Sequence, residues 1–350
     1  MNNEIDIVFE LLRIALNGNG KQEFANSKLL NLNSKEWWRL FRLAQQNHVT
    51  ALLANALPAN TAREVKIPWL AECDKAIHWH HYQEEVQQDI VKTMAKHGIE
   101  TMVLKGTHTA RHYPNPELRE FGDLDLYFFD CHDEADRVAS ETLKVVVNNG
   151  AHHHSKYNYR GLTVESHYDF VNTHYPPSNR RYETLLKELV KDSERTQEYP
   201  PTFEVLFLLR HMAGHFAAGR ITLRDLVDWG LTCCSLRERT DWDLVRHTIE
   251  QYGMSRFVAT IDVIVHKHLG MDPLVLSVLP LETERVERDI VYGSMEDHID
   301  DGFGRIIWKL RRWNALKWKR KMVYNDNPFL LWMASLTSHI AKPYSIMHKI

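Results

Sequence analysis

The sequence predicts an α+β protein: a small mixed β-sheet module set between two helical regions. Three observations carry this expectation. Apolar residues recur at helical spacing through the first hundred positions. Between about 98 and 172 the pattern changes to short β-prone runs punctuated by glycine and asparagine. From about 201 onward the helical spacing returns.

Taken in order, Ile7, Leu11, Leu12 and Ile14 to Leu16 mark a first helix, and Ser34 stands as an N-cap before Lys35-Glu36-Trp37-Trp38. A longer helix is expected from about Trp69 to His97, stopped by Gly98. Ile99 to Leu104 reads as a strand ending at Lys105-Gly106, and Leu124 to Phe129 as a second. A helix is expected over about 134–149. Ala151 to Tyr159 and Gly161 to Phe170 read as two strands joined by a turn near Asn158 to Gly161. Further helices are expected after Pro200-Pro201, from Thr222 to Cys234, Trp242 to Tyr252, Ser255 to His268 and Glu282 to Tyr292, with a basic amphipathic segment over 302–322. The division that follows is an N-terminal helical region (1–97), a mixed core (98–200) and a C-terminal helical region (201–350).

Composition narrows the class. The chain has 350 residues with 44% hydrophobic and 25% charged positions, which excludes disordered, collagen-like and coiled-coil chains. Lys+Arg of 43 against Asp+Glu of 46 leaves a net charge of −3, so a dedicated nucleic-acid packaging role is set aside while a local basic patch is allowed. The cysteines (Cys73, Cys131, Cys233, Cys234) form no C-x-x-C, which points to a reducing, cytoplasmic setting. The first residues carry acid where a signal peptide carries base, and no window is long and apolar enough for a membrane span.

The chemistry concentrates in the β-rich stretch. Gly122-Asp123-Leu124-Asp125 opens a strand, and side chains two apart share a face. Two such carboxylates form either a solvated strand edge or one wall of a cation site, since they repel unless a cation lies between them. Oxygen ligands suit Mg²⁺ or Mn²⁺. On a later strand Thr163, Glu165 and His167 share a face, so Glu165 is a candidate third acid. Upstream, Lys105-Gly106-Thr107 ends a strand in a glycine and a hydroxyl, a pattern that lets backbone N–H groups approach a phosphate. A phosphate cradle plus metal carboxylates is the minimal kit for metal-assisted nucleotidyl transfer.

These residues resemble a known pattern. Leu104-Lys-Gly-Thr, followed by Tyr113-Pro114-Asn-Pro116-Glu-Leu-Arg119-Glu-Phe-Gly122-Asp123-Leu-Asp125, looks like the signature of the uncharacterised nucleotidyltransferase family within the polymerase-β-like superfamily. Leu209-Arg-His211-Met-Ala-Gly-His215 and Leu223-Arg224-Asp225-Leu-Val-Asp228 resemble its helical half. The likeness covers roughly residues 90–235, more weakly toward the chain ends. Thr107 departs from the usual serine or glycine, and the interval from Thr107 to Asp123 is longer than most superfamily members have.

The resemblance implies a minimal nucleotidyltransferase mixed-sheet core, a divalent metal (Mg²⁺ or Mn²⁺) held by Asp123, Asp125 and Glu165, and an NTP donor. Gly106 and Thr107 would bind its phosphates, with Lys105 and Arg119 as either phosphate clamps or scaffold. Glu165 could also take a proton. The acceptor would be a hydroxyl on a small molecule, a protein or a nucleic acid end. A catalytically silent nucleotide- or partner-binding protein on the same fold is the rival reading.

Other clusters have plainer expectations. His152-His153-His154 reads as solvated or packing histidines, because alternation sends His152 and His154 to one face. His211 and His215, four apart on one helix face, read as packing groups with Asp225 or Asp228 as hydrogen-bond partners, or as contacts for substrate. The 302–322 segment reads as a core-packed helix with a solvated basic face, or as a contact for nucleic acid or an anionic membrane surface.

Overall fold

A computed structural model describes residues 2–17, 29, 32–149, 153–191, 199–272, 282–293 and 303–341. The helices are α1 (Asn2–Asn17), α2 (Ser34–Gln46), α3 (Thr50–Ala54), α4 (Arg63–Lys96), α5 (Thr107–Ala110), α6 (His132–Thr142), α7 (Asn179–Lys191), α8 (Pro201–Ala218), α9 (Leu223–Ser235), α10 (Trp242–Gln251), α11 (Ser255–Leu269), α12 (Thr283–Tyr292), α13 (Phe303–Ala315), α14 (Lys317–Val323) and α15 (Pro328–Ala341). The strands are β1 (Met102–Val103), β2 (Asp123–Tyr127), β3 (His154–Tyr159) and β4 (Leu162–His167). Helix dominates around one four-stranded sheet, an α+β fold as expected.

The sheet order is β1-β2-β4-β3. β2 runs parallel to β4 and antiparallel to β1, and the hairpin partner β3 takes the outer edge. Parallel strands need a crossover, and α6 with the β3 excursion supplies it. The strand period of two splits the sheet into two faces. Leu124, Leu126, Tyr157, Leu162 and Val164 point to one face, where they meet Val86, Ile90 and Met94 of α4 and Ala135, Val138 and Ala139 of α6. The opposite face carries Asp123, Asp125, Thr163, Glu165 and His167.

α4 is the spine, at 34 residues roughly 50 Å long. Its sheet end fills the core just described. Its other end buries Val65 and Trp69 among Trp37 and Phe41 of α2, with ring centroids 6.4 and 5.2 Å from Trp69. The larger core joins the first helices to the last. α1 packs on α11 and α12, and Phe9 stacks on His268 at 4.0 Å. α8, α9, α11 and α14 complete it.

Several local expectations are corrected. The N-cap of α2 is Asn33, not Ser34: its side chain accepts from Glu36 N at 3.1 Å, and Glu36 accepts from Asn33 N at 2.9 Å, so both orphan donors are satisfied reciprocally. α4 begins before Trp69, running through Pro68. The helix expected over 134–149 stops at Thr142. Lys144 takes a left-handed φ of 57°, the β-branched run Val145 to Val147 disfavours helix, and Asn148 bridges Lys156. The strand expected from Ile99 to Leu104 narrows to Met102–Val103, and the segment 302–322 is two helices separated at Leu316. His152 lies outside the described residues.

The basic segment also uses much of its charge internally. Lys319 is fully buried against Asp289, and Arg320 lies 3.7 Å from the Trp313 ring centroid. Arg312 donates to Ala218 O at 2.9 Å. Arg311, Lys317 and Lys321 face solvent.

Candidate active site

The polar sheet face and the turn after β1 build the site. Register sets Asp125 of β2 opposite Glu165 of β4, with Asp123 opposite Thr163 and Tyr127 opposite His167. Leu104 N donates to Asp125 O at 3.0 Å, which brings the next residue, Lys105, over the same strand. Lys105 Nζ lies 3.0 Å from Asp125 Oδ2. His167 Nε2 donates to Asp125 Oδ1 at 2.9 Å; the carboxylate can only accept, so the proton on that bond belongs to the imidazole. From above, α8 lowers His211, whose Nε2 accepts from Lys105 Nζ at 3.2 Å. An ammonium has no lone pair, so His211 presents its unprotonated nitrogen. Glu165 is held by Lys156 at 2.8 Å and lies 3.6 Å from both His154 Nδ1 and His167 Nε2.

Of the residues named from sequence, Asp125, Glu165 and Lys105 therefore converge. Asp123 shares the face but is exposed at the strand's start. The turn glycine is demanded by geometry: Gly106 has φ of 63°, and a Cβ there would lie 3.1 Å from the Phe121 ring. Thr107 opens the single-turn α5 and donates its hydroxyl to Gln87 of α4 at 2.6 Å.

Arg119 is buried rather than open to the cleft. It donates Nε to Asp228 Oδ1 at 2.8 Å and Nη2 to Oδ2 at 2.7 Å, and Nη1 reaches Gly106 O at 3.3 Å. Tyr113 donates to the same Asp228 oxygen at 2.7 Å. The Tyr-Pro…Arg stretch thus ties the glycine turn to α9. Asp225 is occupied in the α9 capping box with Thr222. Lys105, not Asp225 or Asp228, is the hydrogen-bond partner of His211, a correction to the sequence expectation.

A family model described as an uncharacterised nucleotidyltransferase matches residues 33–270. The chain belongs to this uncharacterised nucleotidyltransferase family. The match extends beyond the 90–235 stretch legible from motifs, taking in α2 to α4 and reaching the end of α11. No curated protein and no solved structure matches the chain.

Site electrostatics in this family member follow from burial opposed by pairing. Burial pushes Asp125 up, but Lys105 and His167 hold its carboxyl well below the ordinary range. Burial likewise raises Glu165, and His167 and Lys156 beside it bring it down to about 2. Burial and the Lys105 ammonium keep His211 well below its usual value, consistent with an acceptor nitrogen. His167 goes the other way: burial lowers it, but the Asp125 and Glu165 carboxylates raise it overall.

A divalent cation fits this donor set. Asp125, Glu165 and His167 each offer a ligand atom, all within 4.8 Å of one another, and the two carboxylates supply the oxygen that Mg²⁺ or Mn²⁺ prefers. Strand alternation places His167 on the face of Glu165 but assigns it no role. The His211/His215 spacing is visible in the sequence, whereas the reach of Lys105 to His211 is not.

His154 yields a pH prediction. Burial lowers its imidazole to about 4, against about 6.5 in an unfolded chain. Between those values the unfolded chain binds the extra proton. Stability is therefore full above about pH 6.5 and falls as the pH drops toward 4, by at most about 3 kcal/mol from this group. Urea unfolding in metal-free buffer at pH 7.5 and pH 5 checks this. His154→Gln is expected to flatten the dependence, and an equal slope in both proteins would contradict it.

Proposed function

We propose that this chain transfers a nucleoside monophosphate from an NTP to a hydroxyl acceptor, with Mg²⁺ or Mn²⁺ at the sheet carboxylates. The observation that carries the reading is the β2–β4 register, which sets Asp125 against Glu165 while the glycine turn delivers Lys105 to the same pair. The acceptor oxygen bonds to the α-phosphorus, the bond to the bridging oxygen of the β-phosphate breaks, pyrophosphate leaves, and the hydroxyl proton passes to water.

When bound, the metal would polarise the acceptor oxygen and neutralise charge on the phosphates. Asp123, Asp125 and Glu165 are its ligands in this reading. A carboxyl at about 2 suits Glu165 to a cation ligand better than to a proton acceptor. Lys105 serves as a point charge shared between Asp125 and phosphate, with neutral His211 as its second partner. Gly106 and Thr107 offer backbone N–H groups to the phosphates. Arg119 acts as a positioning residue, holding Gly106 O from its salt bridge with Asp228.

The acceptor is a hydroxyl on a small molecule, a protein side chain or a nucleic acid end. A nucleic acid would meet Arg311, Lys317 and Lys321, the basic residues of α13 and α14 that face solvent. Free cysteines at Cys73, Cys131, Cys233 and Cys234 support a cytoplasmic setting. No described helix is long and apolar enough to cross a membrane.

Thermal unfolding with each NTP, with and without Mg²⁺ or Mn²⁺, tests the reading. A ligand at about 100 times its Kd stabilises by roughly 2.7 kcal/mol. A metal-dependent shift with an NTP, lost in Asp123→Asn/Asp125→Asn, is expected. The absence of any shift would favour a catalytically silent binding protein, a reading that draws on Asp125 being already neutralised by Lys105 and His167.

A further inference from the structure

We propose that His153, His154 and His167 form a second cation site, selective for Zn²⁺ over Mg²⁺, on the flank of the carboxylate pair. Strand alternation sends adjacent histidines to opposite faces, but the fold adds a third imidazole to His153 and His154 from the neighbouring strand. His154 and His167 are direct partners across the antiparallel β3–β4 pair, and Tyr168 N donates to His153 O at 2.9 Å, which fixes the preceding residue beside them. The three rings lie 4.4, 5.3 and 5.7 Å apart between centroids, and one nitrogen from each falls within 4.8 Å of the others.

An independent observation points to a ligand. His154 and His167 are each only 7% exposed, yet neither ring nitrogen of His154, nor Nδ1 of His167, has a hydrogen-bond partner. Buried polar atoms are normally satisfied, and an ion would take Nδ1 of His167 and one ring nitrogen of His154. The other face of His167 is already arranged for the purpose. Its Nε2–H donates to Asp125 Oδ1, the carboxylate–histidine pairing that orients a metal-bound imidazole and leaves Nδ1 to the ion. Glu165 Oε2, 3.6 Å from His154 Nδ1, adds negative charge beside the site.

The donor chemistry sets the selectivity. Three imidazoles suit Zn²⁺, Co²⁺ or Ni²⁺, whereas Mg²⁺ demands oxygen. A tetrahedral ion with nitrogens at about 2.1 Å holds its ligands roughly 3.4 Å apart, so from separations within 4.8 Å the donor atoms need close by up to about 1.4 Å. The hard cation draws on the carboxylate oxygens of Asp125 and Glu165 and the softer one on imidazole nitrogens, with His167 common to both groups. An ion on Nδ1 would also pin His167 against Asp125, linking the nitrogen site to the geometry of the proposed active site. The inference does not rest on the transfer reaction.

The test uses tag-free, chelator-stripped protein titrated with Zn²⁺ against a chromogenic chelator, with Co²⁺ as a spectroscopic probe. One tight equivalent is expected. Cobalt should show a tetrahedral d–d spectrum without thiolate charge transfer, and roughly a thousandfold excess of Mg²⁺ should leave the ion in place. His154→Gln and His153→Gln should each weaken Zn²⁺ binding by on the order of 100-fold, and Asp125→Asn by about 10-fold through loss of orientation. The wild-type cobalt spectrum and the Mg²⁺ competition stand even if a variant folds poorly. Displacement by Mg²⁺, an octahedral cobalt spectrum, or unchanged affinity in folded His153→Gln and His154→Gln would each overturn the site.

Discussion

Asp123→Asn and Asp125→Asn are expected to behave differently, although the two carboxylates share a motif and a strand face. Asp125→Asn should abolish the metal-dependent NTP shift and also lower stability without ligand. Its carboxylate is buried between Lys105 at 3.0 Å and His167 at 2.9 Å, and removing its charge leaves an ammonium facing a neutral amide. Charge-assisted bonds of this kind contribute about 1.5–3 kcal/mol each, so a loss of about 2 kcal/mol is the expected scale. Asp123 is exposed at the start of β2, and its replacement should leave stability within about 0.5 kcal/mol while still weakening nucleotide binding with metal. In a transfer assay either change should cost several kcal/mol of barrier, on the order of 10³-fold. Urea unfolding without ligand, set beside thermal shifts with NTP and Mg²⁺, separates the two effects. A full NTP shift retained in Asp123→Asn would remove Asp123 from the metal site and leave the Asp125–Glu165 pair.

The largest stability effect is expected at Arg119. Its guanidinium is 5% exposed and its partner Asp228 is 2% exposed, so both charges are desolvated and each depends on the other. Arg119→Met should cost about 3–5 kcal/mol, because among the described residues Asp228 then keeps only the Tyr113 hydroxyl as a side-chain donor. Arg119→Lys should recover little, since an ammonium cannot reproduce the two-pronged contact to both carboxylate oxygens. Arg119→Met/Asp228→Leu should recover much of the loss by removing both charges. Denaturant unfolding without nucleotide measures all three. A cost below about 1 kcal/mol for Arg119→Met would mean the pair is solvated, and would return Arg119 to the role of a free phosphate clamp.

The Arg119 result illustrates why some site assignments can be made from sequence and others cannot. The acid pair at Asp123 and Asp125 is readable because strand alternation is a local property, as is the shared face of Thr163, Glu165 and His167. The glycine of the Lys105-Gly106-Thr107 turn is readable for the same reason. Arg119 sits close enough in sequence to suggest a phosphate contact, but its partner is 109 residues downstream on α9. The basic segment behaves alike: its charge is visible in the sequence, but the burial of Lys319 against Asp289 depends on α12 and α14 meeting.

Sequence alone established the alternation of helical and strand-prone segments, and with it the α+β class, the polar strand face and the likeness to the family. The class and the polar face follow from side-chain periodicity and backbone preference within a few residues, whereas the likeness is a resemblance carried by the Lys105-Gly106-Thr107 and Gly122-Asp123-Leu124-Asp125 motifs. Tertiary structure was needed to show that β2 pairs with β4, that Lys105, His167 and His211 gather on Asp125, and that His153 and His154 meet His167. Strand order, register and ion pairing are chosen by which surfaces bury together across long loops, a free-energy comparison between whole packings that no local spacing encodes.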